Sequence, residues 1–175
     1  MIISTYFIQR RVQELKRQAG NRPHRFCALP EARSLLLFYR ASDQQEIEPC
    51  LETLRMMRKS VSVYRIGEGL GSTENTIPQA YQLDSSKDLD LWGFPTKAKL
   101  QELVGIPADI VIDLCRQENP LIQYLVLSHP SAFKVGTRRI DEEGVCDFSI
   151  LASERNDLIY LFGQIIFYLQ TIRSK

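Results

Sequence analysis

The chain has 175 residues, of which 44% are hydrophobic and 25% are charged, and its formal net charge is +1. This composition excludes a disordered or low-complexity chain and fits one compact domain. The charge is uneven, because Arg10, Arg11 and Arg17 lie in a first segment whose acidic residue is Glu14. We therefore expect a basic amphipathic helix at 1–22 and a single Rossmann-like α/β domain at 30–175.

The cysteines are far apart and form no Cys-x-x-Cys pair, and the chain has only two histidines to join them in a metal site. Such spacing does not suit a metal site, so no metal and no cofactor are expected. Buried small hydrophobes in a reducing compartment are the favoured interpretation. No signal peptide is recognisable, and the longest apolar stretch, 158–169, is too short to span a membrane. The expected location is the cytoplasm.

The first elements follow from hydrophobic periodicity. Residues 2–19 predict a helix with an apolar stripe and a basic opposite face, ended by Gly20-Asn21. The run Leu35–Tyr39 has the continuous apolar character of a strand that is covered on both faces. Ser42 and Asp43 would cap the next helix, which ends near Lys59, and 61–66 predicts a second strand.

The segment 67–90 is long for a loop and contains only one short candidate strand, at 80–83. Beyond it, the pattern predicts a helix at 96–105, a strand at 109–114, a helix at 120–128, strands at 132–136 and 146–151, and a closing helix at 156–172. Alternating strands and helices predict a three-layer αβα sandwich with a mostly parallel sheet. We expect a Rossmann-like or flavodoxin-like sheet of about five strands in the order 2-1-3-4-5, with the extra N-terminal helix.

Ligands bind such sheets at the carboxyl ends of the strands. Asp43, Asp113 and Gly136 each follow a predicted strand, and Asp113 comes directly after a run of apolar residues. Asp113 is therefore the carboxylate of most interest. For Ser42 and Asp43, helix capping explains the residues as well as ligand contact does.

Other motifs favour ordinary structure over chemistry. The glycine-rich stretch 67–73 lacks the Gly-Lys-Ser/Thr ending of a P-loop and the third glycine of a dinucleotide fingerprint. The Asp88-Leu-Asp90 pair could hold a cation, but aspartates in a turn explain it more simply. A Cys115/His129 couple would be split by a helix, and no Gly-x-Ser-x-Gly elbow exists.

Several segments together resemble a family of small bacterial proteins known only as a domain of unknown function. They are the basic leading helix, Asp90-Leu-Trp-Gly-Phe-Pro95, Ala108–Leu114 with Asn119-Pro-Leu121, Phe133-Lys-Val-Gly136 and Tyr168-Leu. The resemblance implies one Rossmann-like domain and no catalytic residues. About 30 residues, from Asp109 to Gly136, are also similar to the amino-terminal half of heptosyltransferase-type sugar transferases.

The expected function is non-catalytic: a ligand-binding or protein-interaction domain for an unknown small molecule or a second copy of the chain. The alternative is an enzyme, or a relic of one, acting on a sugar or phosphorylated metabolite. There Asp113 would contact hydroxyls or act as base, Trp92 would stack on the ligand, and Lys134 or Arg138 would meet phosphate. The candidate ligand-binding residues are Asp43, Trp92, Asp113, Asn119, Lys134, Gly136 and Arg138.

The two terminal helices have wide apolar stripes, and that of 156–172 exceeds what one sheet face covers. We expect helix 2–19 to pack beside helix 156–172, within one chain or across a homodimer interface, with Arg10, Arg11 and Arg17 in solvent. Contact of the basic helix with a membrane is the less favoured expectation, and no nucleic acid is expected.

Overall fold

The computed structural model describes residues 2–21, 24–71, 79–138, 145–152 and 157–173. The strands are β1 (Ser34–Arg40), β2 (Ser60–Gly67), β3 (Ala80–Asp84), β4 (Ile110–Asp113), β5 (Phe133–Arg138) and β6 (Phe148–Leu151). The helices are α1 (Ile2–Ala19), α2 (Gln44–Met56), α3 (Lys97–Val104), α4 (Pro120–Ser128) and α5 (Leu158–Thr171), with a 3₁₀ turn at Ala41–Asp43.

The six strands form one parallel sheet in the order β3-β2-β1-β4-β5-β6. The predicted α/β class and the order of the five predicted strands are confirmed. The short candidate strand at 80–83 is also present, as β3 beside β2 at one edge of the sheet. β1 lies at the centre, and Leu35–Tyr39 are almost fully buried because helices cover both of their faces.

Two apolar clusters lie on the two faces of the sheet. On the first face, side chains of α2 and α5 pack against Leu37, Ile112 and their neighbours. On the second face, α3 and α4 pack against Leu36, Phe38 and Val111. The architecture is therefore the expected three-layer sandwich, with helices on both sides of a parallel sheet.

The N-terminal helix corrects one expectation. α1 packs against α4, on the second face, whereas α5 packs with α2 on the first. The predicted pairing of α1 with α5 within one chain is therefore wrong. Ile8 and Val12 of α1 are buried, while Arg10, Arg11 and Arg17 are exposed as expected.

Capping residues mark the N-termini of three helices. The Asn119 side chain accepts hydrogen bonds from the first backbone N–H groups of α4, and Pro120 occupies the first helical position. Thr96 caps α3, and Asp157 caps α5 by accepting a hydrogen bond from Tyr160. These caps explain why the helices begin where they do.

Candidate functional site

The strand order places a crevice between β1 and β4. From that point the chain winds outward through β2 and β3 on one side and through β5 and β6 on the other. In open α/β sheets a ligand occupies the carboxyl ends of the strands where the winding reverses. Here these ends carry Arg40 on β1 and Asp113 on β4.

Asp113 and Gly136 are neighbours at this edge. Asp113 is paired in register with Phe38 on one side and with Gly136 on the other. A Cβ at Gly136 would come within 3.3 Å of the Asp113 Cβ and 2.8 Å of the Cys146 Sγ, so only glycine fits beside the carboxyl group. The structure thus brings together two of the predicted site residues.

The Asp113 carboxyl is 7% exposed, accepts a hydrogen bond of 2.9 Å from the backbone N–H of Cys115, and also makes a hydrogen bond with the Cys115 thiol. Burial penalises the charged form and raises the pKa of Asp113 to about 6. A carboxyl group with this pKa can gain or lose a proton near neutral pH.

Two arginines end the strands on either side of β4. Arg40 and Arg138 each lie two residues beyond the strand positions paired with Asp113, so strand alternation places them on the same face of the sheet. β1 and β5 both adjoin β4, which puts the two backbones roughly 10 Å apart, two strand spacings. We call Arg40, Asp113, Cys115, Gly136 and Arg138 the carboxyl-edge cluster.

Arg40 is only partly satisfied. Its Nη1 donates to the Gln117 Oε1 at 2.8 Å, while its Nε is buried and has no hydrogen-bond partner in the described part of the chain. A buried N–H group without a partner costs free energy, so an acceptor there would stabilise the site. Its positive charge also partly offsets the burial of Asp113 by lowering the pKa of that carboxyl group.

The cysteines at this edge favour structure over nucleophilic chemistry. Burial and the adjacent Asp113 raise the pKa of the Cys115 thiol far above its usual value, so it stays protonated. Cys115 is buried and Cys146 partly buried against the same apolar cluster. Cys115 follows β4, which ends at residue 113, and Cys146 precedes β6, which begins at residue 148, so both cysteines lie outside the strands.

Asp43 also lies at the carboxyl edge, but on the first face of the sheet. Its Oδ1 is 2.8 Å from the Arg116 Nη2, which also contacts the Glu46 Oε1 at 2.9 Å. The Glu46 Oε2 in turn accepts a hydrogen bond from the backbone N–H of Leu158. Asp43 occupies the N-cap position of α2 as expected, but its side chain makes no capping hydrogen bond; the carboxylate instead joins an ion-pair network that ties α2 to the start of α5.

Asn119 and Trp92 occupy structural positions. The Asn119 oxygen is taken up by the backbone of α4. Trp92 is 55% exposed and lies edge-on to Phe7 of α1, with ring centroids 5.0 Å apart. The Trp92 turn thus forms part of the docking surface for α1, and the described contacts do not link Trp92 to the carboxyl-edge cluster.

Lys134 lies away from the other candidates, near the start of β5. It is fully buried, and its Nζ donates to the backbone carbonyls of His129 and Ser131 at 2.7 and 3.1 Å. His129 is also buried, with Nδ1 accepting from the Ser131 N–H and Nε2 facing the Ile106 carbonyl. This geometry directs the Lys134 ammonium to the amino edge, opposite the crevice.

The aspartates of the 84–90 segment organise turns. The Ser86 hydroxyl donates a hydrogen bond of 2.6 Å to Asp84, and the backbone N–H groups of Ser86, Gly69 and Leu70 also donate to it; these bonds lower the pKa of Asp84 to about 2. Asp88 accepts from the Asp84 N–H, and Asp90 accepts from those of Trp92 and Phe94. No group of three metal-ligating side chains occurs within the described ranges. The glycine-rich motif at 67–73 lies partly outside these ranges.

A second concavity lies at the amino edge of the sheet. It is a groove of about 450 Å³ bounded by the segments 104–109 and 129–132, with Arg25, Cys27 and Glu31 on its other side. Asp109, at its rim, is held by the backbone N–H groups of Arg33 and Ser34.

Sequence analysis missed Arg40 and Arg116. Arg40 directly follows the predicted strand 35–39, the same signal that singled out Asp113, so its position was readable from the sequence. The pairing of Arg116 with Asp43 joins residues 73 positions apart and leaves no local signal. None of the helices described in the structure is long and apolar enough to cross a bilayer.

Comparison with known proteins gives one match. A model of a family of unknown function, DUF6913, matches residues 5–172. The chain belongs to this family. The match spans α1, the whole sheet and α5, so the N-terminal helix is part of what the family shares. Neither curated proteins nor solved structures provide a match to this chain.

Proposed function

We propose that the chain is a binding domain for a small anionic metabolite bearing a phosphate group, held at the carboxyl-edge cluster. The observation that carries the proposal is the buried Asp113 carboxyl group at the switch point of a parallel sheet, with Arg40 acting on it and Arg138 ending the strand on its other side. Guanidinium groups favour phosphate because their N–H donors match its oxygens in pairs. The Arg40 Nε supplies one donor that is still unsatisfied within the described residues.

The Asp113 carboxyl would make this binding depend on pH. An anion between the two arginines repels the ionised carboxylate and favours its protonated form. A protonated carboxyl group can also donate a hydrogen bond to a phosphate oxygen. Affinity should therefore rise as the pH falls from 8 to 6, through the range in which Asp113 takes up its proton.

Thermal unfolding in the presence of inorganic phosphate and pyrophosphate tests the proposal. A ligand at 100 times its dissociation constant adds about 2.7 kcal/mol to the free energy of unfolding. For a chain of this size, that is a rise in Tm of about 5–10 °C. Replacing Arg40 with Gln should abolish most of the rise.

Arg55→Gln is the matched control, because it removes the same charge from an exposed position in the last turn of α2, outside the cluster. It should respond to the anions as the wild type does. Equal responses from the Arg40 and Arg55 variants, or no response from the wild type to either anion, would refute the proposal.

An enzyme acting on a sugar or phosphorylated metabolite is the second candidate, supported by the raised pKa of the buried Asp113 carboxyl group at the switch point of the sheet. In that case Asp113 would act as a general base, with a limb near pH 6 in the pH profile of kcat. Asp113→Asn would then abolish turnover while leaving phosphate binding in place. Turnover that survives this substitution would exclude the role.

A further inference from the structure

The outer face of α5 is exposed and entirely uncharged. The helix LIYLFGQIIFYLQT contains no acidic or basic residue. Its inner face, including Leu161, Ile165 and Leu169, is buried against the sheet and α2. On the outer face, Tyr160 is 54% exposed and Phe167 is 59% exposed, and Ile159 and Tyr168 are also exposed. Because α1 packs on the opposite side of the sheet, it does not cover this face.

The exposed side chains are arranged symmetrically along the helix. Ile159 and Tyr160 precede Gly163-Gln164 by the same number of residues by which Phe167 and Tyr168 follow them. At the centre, a Cβ added to Gly163 would have no atom within 4 Å, so the helix backbone is open to close approach. When two copies of the helix run antiparallel, the exposed apolar side chains of one copy therefore face those of the other.

We propose that this face binds a second copy of the chain, with α5 antiparallel to α5 across a two-fold axis between Gly163 and Gln164. A two-fold interface uses the same patch on both subunits, so the patch must be complementary to itself. In the antiparallel arrangement, Tyr160 of one copy packs against Phe167 of the other, and the two Gly163 residues let the helices approach closely. The proposal is independent of the ligand at the carboxyl edge.

The size of the patch suits such an interface. Three aromatic side chains about half exposed, each of 150–250 Å² in total, contribute roughly 300 Å² of the ~800 Å² per partner that a standard interface buries. The edge strand β6 extends the patch, because Phe148 packs against Tyr168 with ring centroids 5.5 Å apart. Ile159, the exposed backbone around Gly163 and the polar side chains at the edge of the patch would add to the buried surface.

The absence of charge argues against other partners. A lipid surface is normally met by a helix with a basic polar face, and α5 has no Lys or Arg within its bounds. An acidic or basic protein partner would be selected by opposite charges within the patch, and α5 carries none within its bounds. A mutually uncharged, self-complementary surface is typical of permanent homodimers.

Light scattering coupled to size-exclusion chromatography tests the proposal on the full chain. The wild type should elute with twice the mass of one chain at micromolar concentration, and Phe167→Glu should elute with half that mass. Met56→Glu, at an exposed apolar position on α2, is the matched control and should remain a dimer. A monomeric wild type, or a Phe167→Glu variant that remains dimeric, overturns the proposal.

A cross-linking experiment covers the case in which Phe167→Glu fails to fold. Gly163→Cys places two thiols close to the two-fold axis, so mild oxidation should give a covalent dimer on a non-reducing gel. Met56→Cys should migrate as a single chain on the same gel, because its two thiols lie away from the interface. If both variants cross-link equally, or neither does, α5 is not the interface.

Discussion

Burial of the Asp113 carboxyl group is electrostatically unfavourable when the group is charged. Its carboxyl group is buried and receives a single described backbone hydrogen bond, so the folded protein holds the proton more tightly than the unfolded chain does. The direction of the effect on stability follows from the raised pKa. The contribution of this group to the free energy of unfolding is highest below the pKa of the unfolded state, and it falls as the pH rises to the pKa of the folded state.

We therefore expect Asp113→Asn to gain stability relative to the wild type as the pH rises from about 4 to about 6. The pKa of about 6 corresponds to a difference of about 3 kcal/mol in the free energy of unfolding. Asparagine can still accept the Cys115 hydrogen bond and carries no charge to bury. Urea unfolding of both proteins at pH 4 and pH 8 measures the difference.

Asp109→Asn provides a control of opposite sign. Backbone N–H groups of Ser34 and Arg33 lower the pKa of Asp109, so its carboxylate favours folding above its unfolded pKa. That variant should be destabilised at pH 8, and its difference from the wild type should shrink as the pH falls. If the difference in free energy of unfolding between Asp113→Asn and the wild type did not change with pH, the Asp113 carboxyl group would be hydrated in solution.

At the scale of elements, α1 is held by a compact contact with α4 and with the turn at residues 90–94. Ile8 is buried at the centre of this contact, and Gly93, in a left-handed backbone conformation with φ of +83°, lets Ser4 and Ile8 approach the turn closely. A side chain at Gly93 would meet the Ser4 Cβ at 3.0 Å. The helix is thus packed as part of the domain.

Replacing Ile8 with Ala should lower the free energy of unfolding by about 2–5 kcal/mol, because it removes buried methyl groups and leaves a cavity. Tyr6→Ala, on the exposed side of the same helix, should change it much less. Guanidinium unfolding monitored by circular dichroism compares the two. Similar unfolding midpoints for the two variants would mean that α1 is not docked in solution.

The position of α1 shows where periodicity stops being informative. Its apolar stripe predicted a packed helix with a basic outer face, and both features are present. The helix against which α1 packs could not be predicted, because both α4 and α5 have apolar surface that the sheet does not cover. α4 buries Leu121, Ile122, Leu125 and Val126, and its Tyr124 meets Phe94 from the turn that supports α1. Only the three-dimensional arrangement distinguishes the two.

At the scale of the whole molecule, the sheet was the most predictable part. Continuous apolar runs predicted the central strands, and right-handed crossovers with short connections limited their order. β3 gave a weaker signal because it is a short edge strand with three partly exposed residues. The candidate site was predictable where a residue directly follows a strand, as at Asp113 and Gly136, and unpredictable for Lys134, whose long side chain turns back to the amino edge.

The contact between α1 and α4 also sets an order of events during synthesis. α1 is synthesised before α4, and the helix that covers its apolar stripe is complete only at Ser128. At about 5–20 residues per second, the stripe of a nascent chain waits about 5–20 seconds for its partner. Through this interval the apolar side chains that α1 later buries against α4 are uncovered, so they are accessible to chaperones.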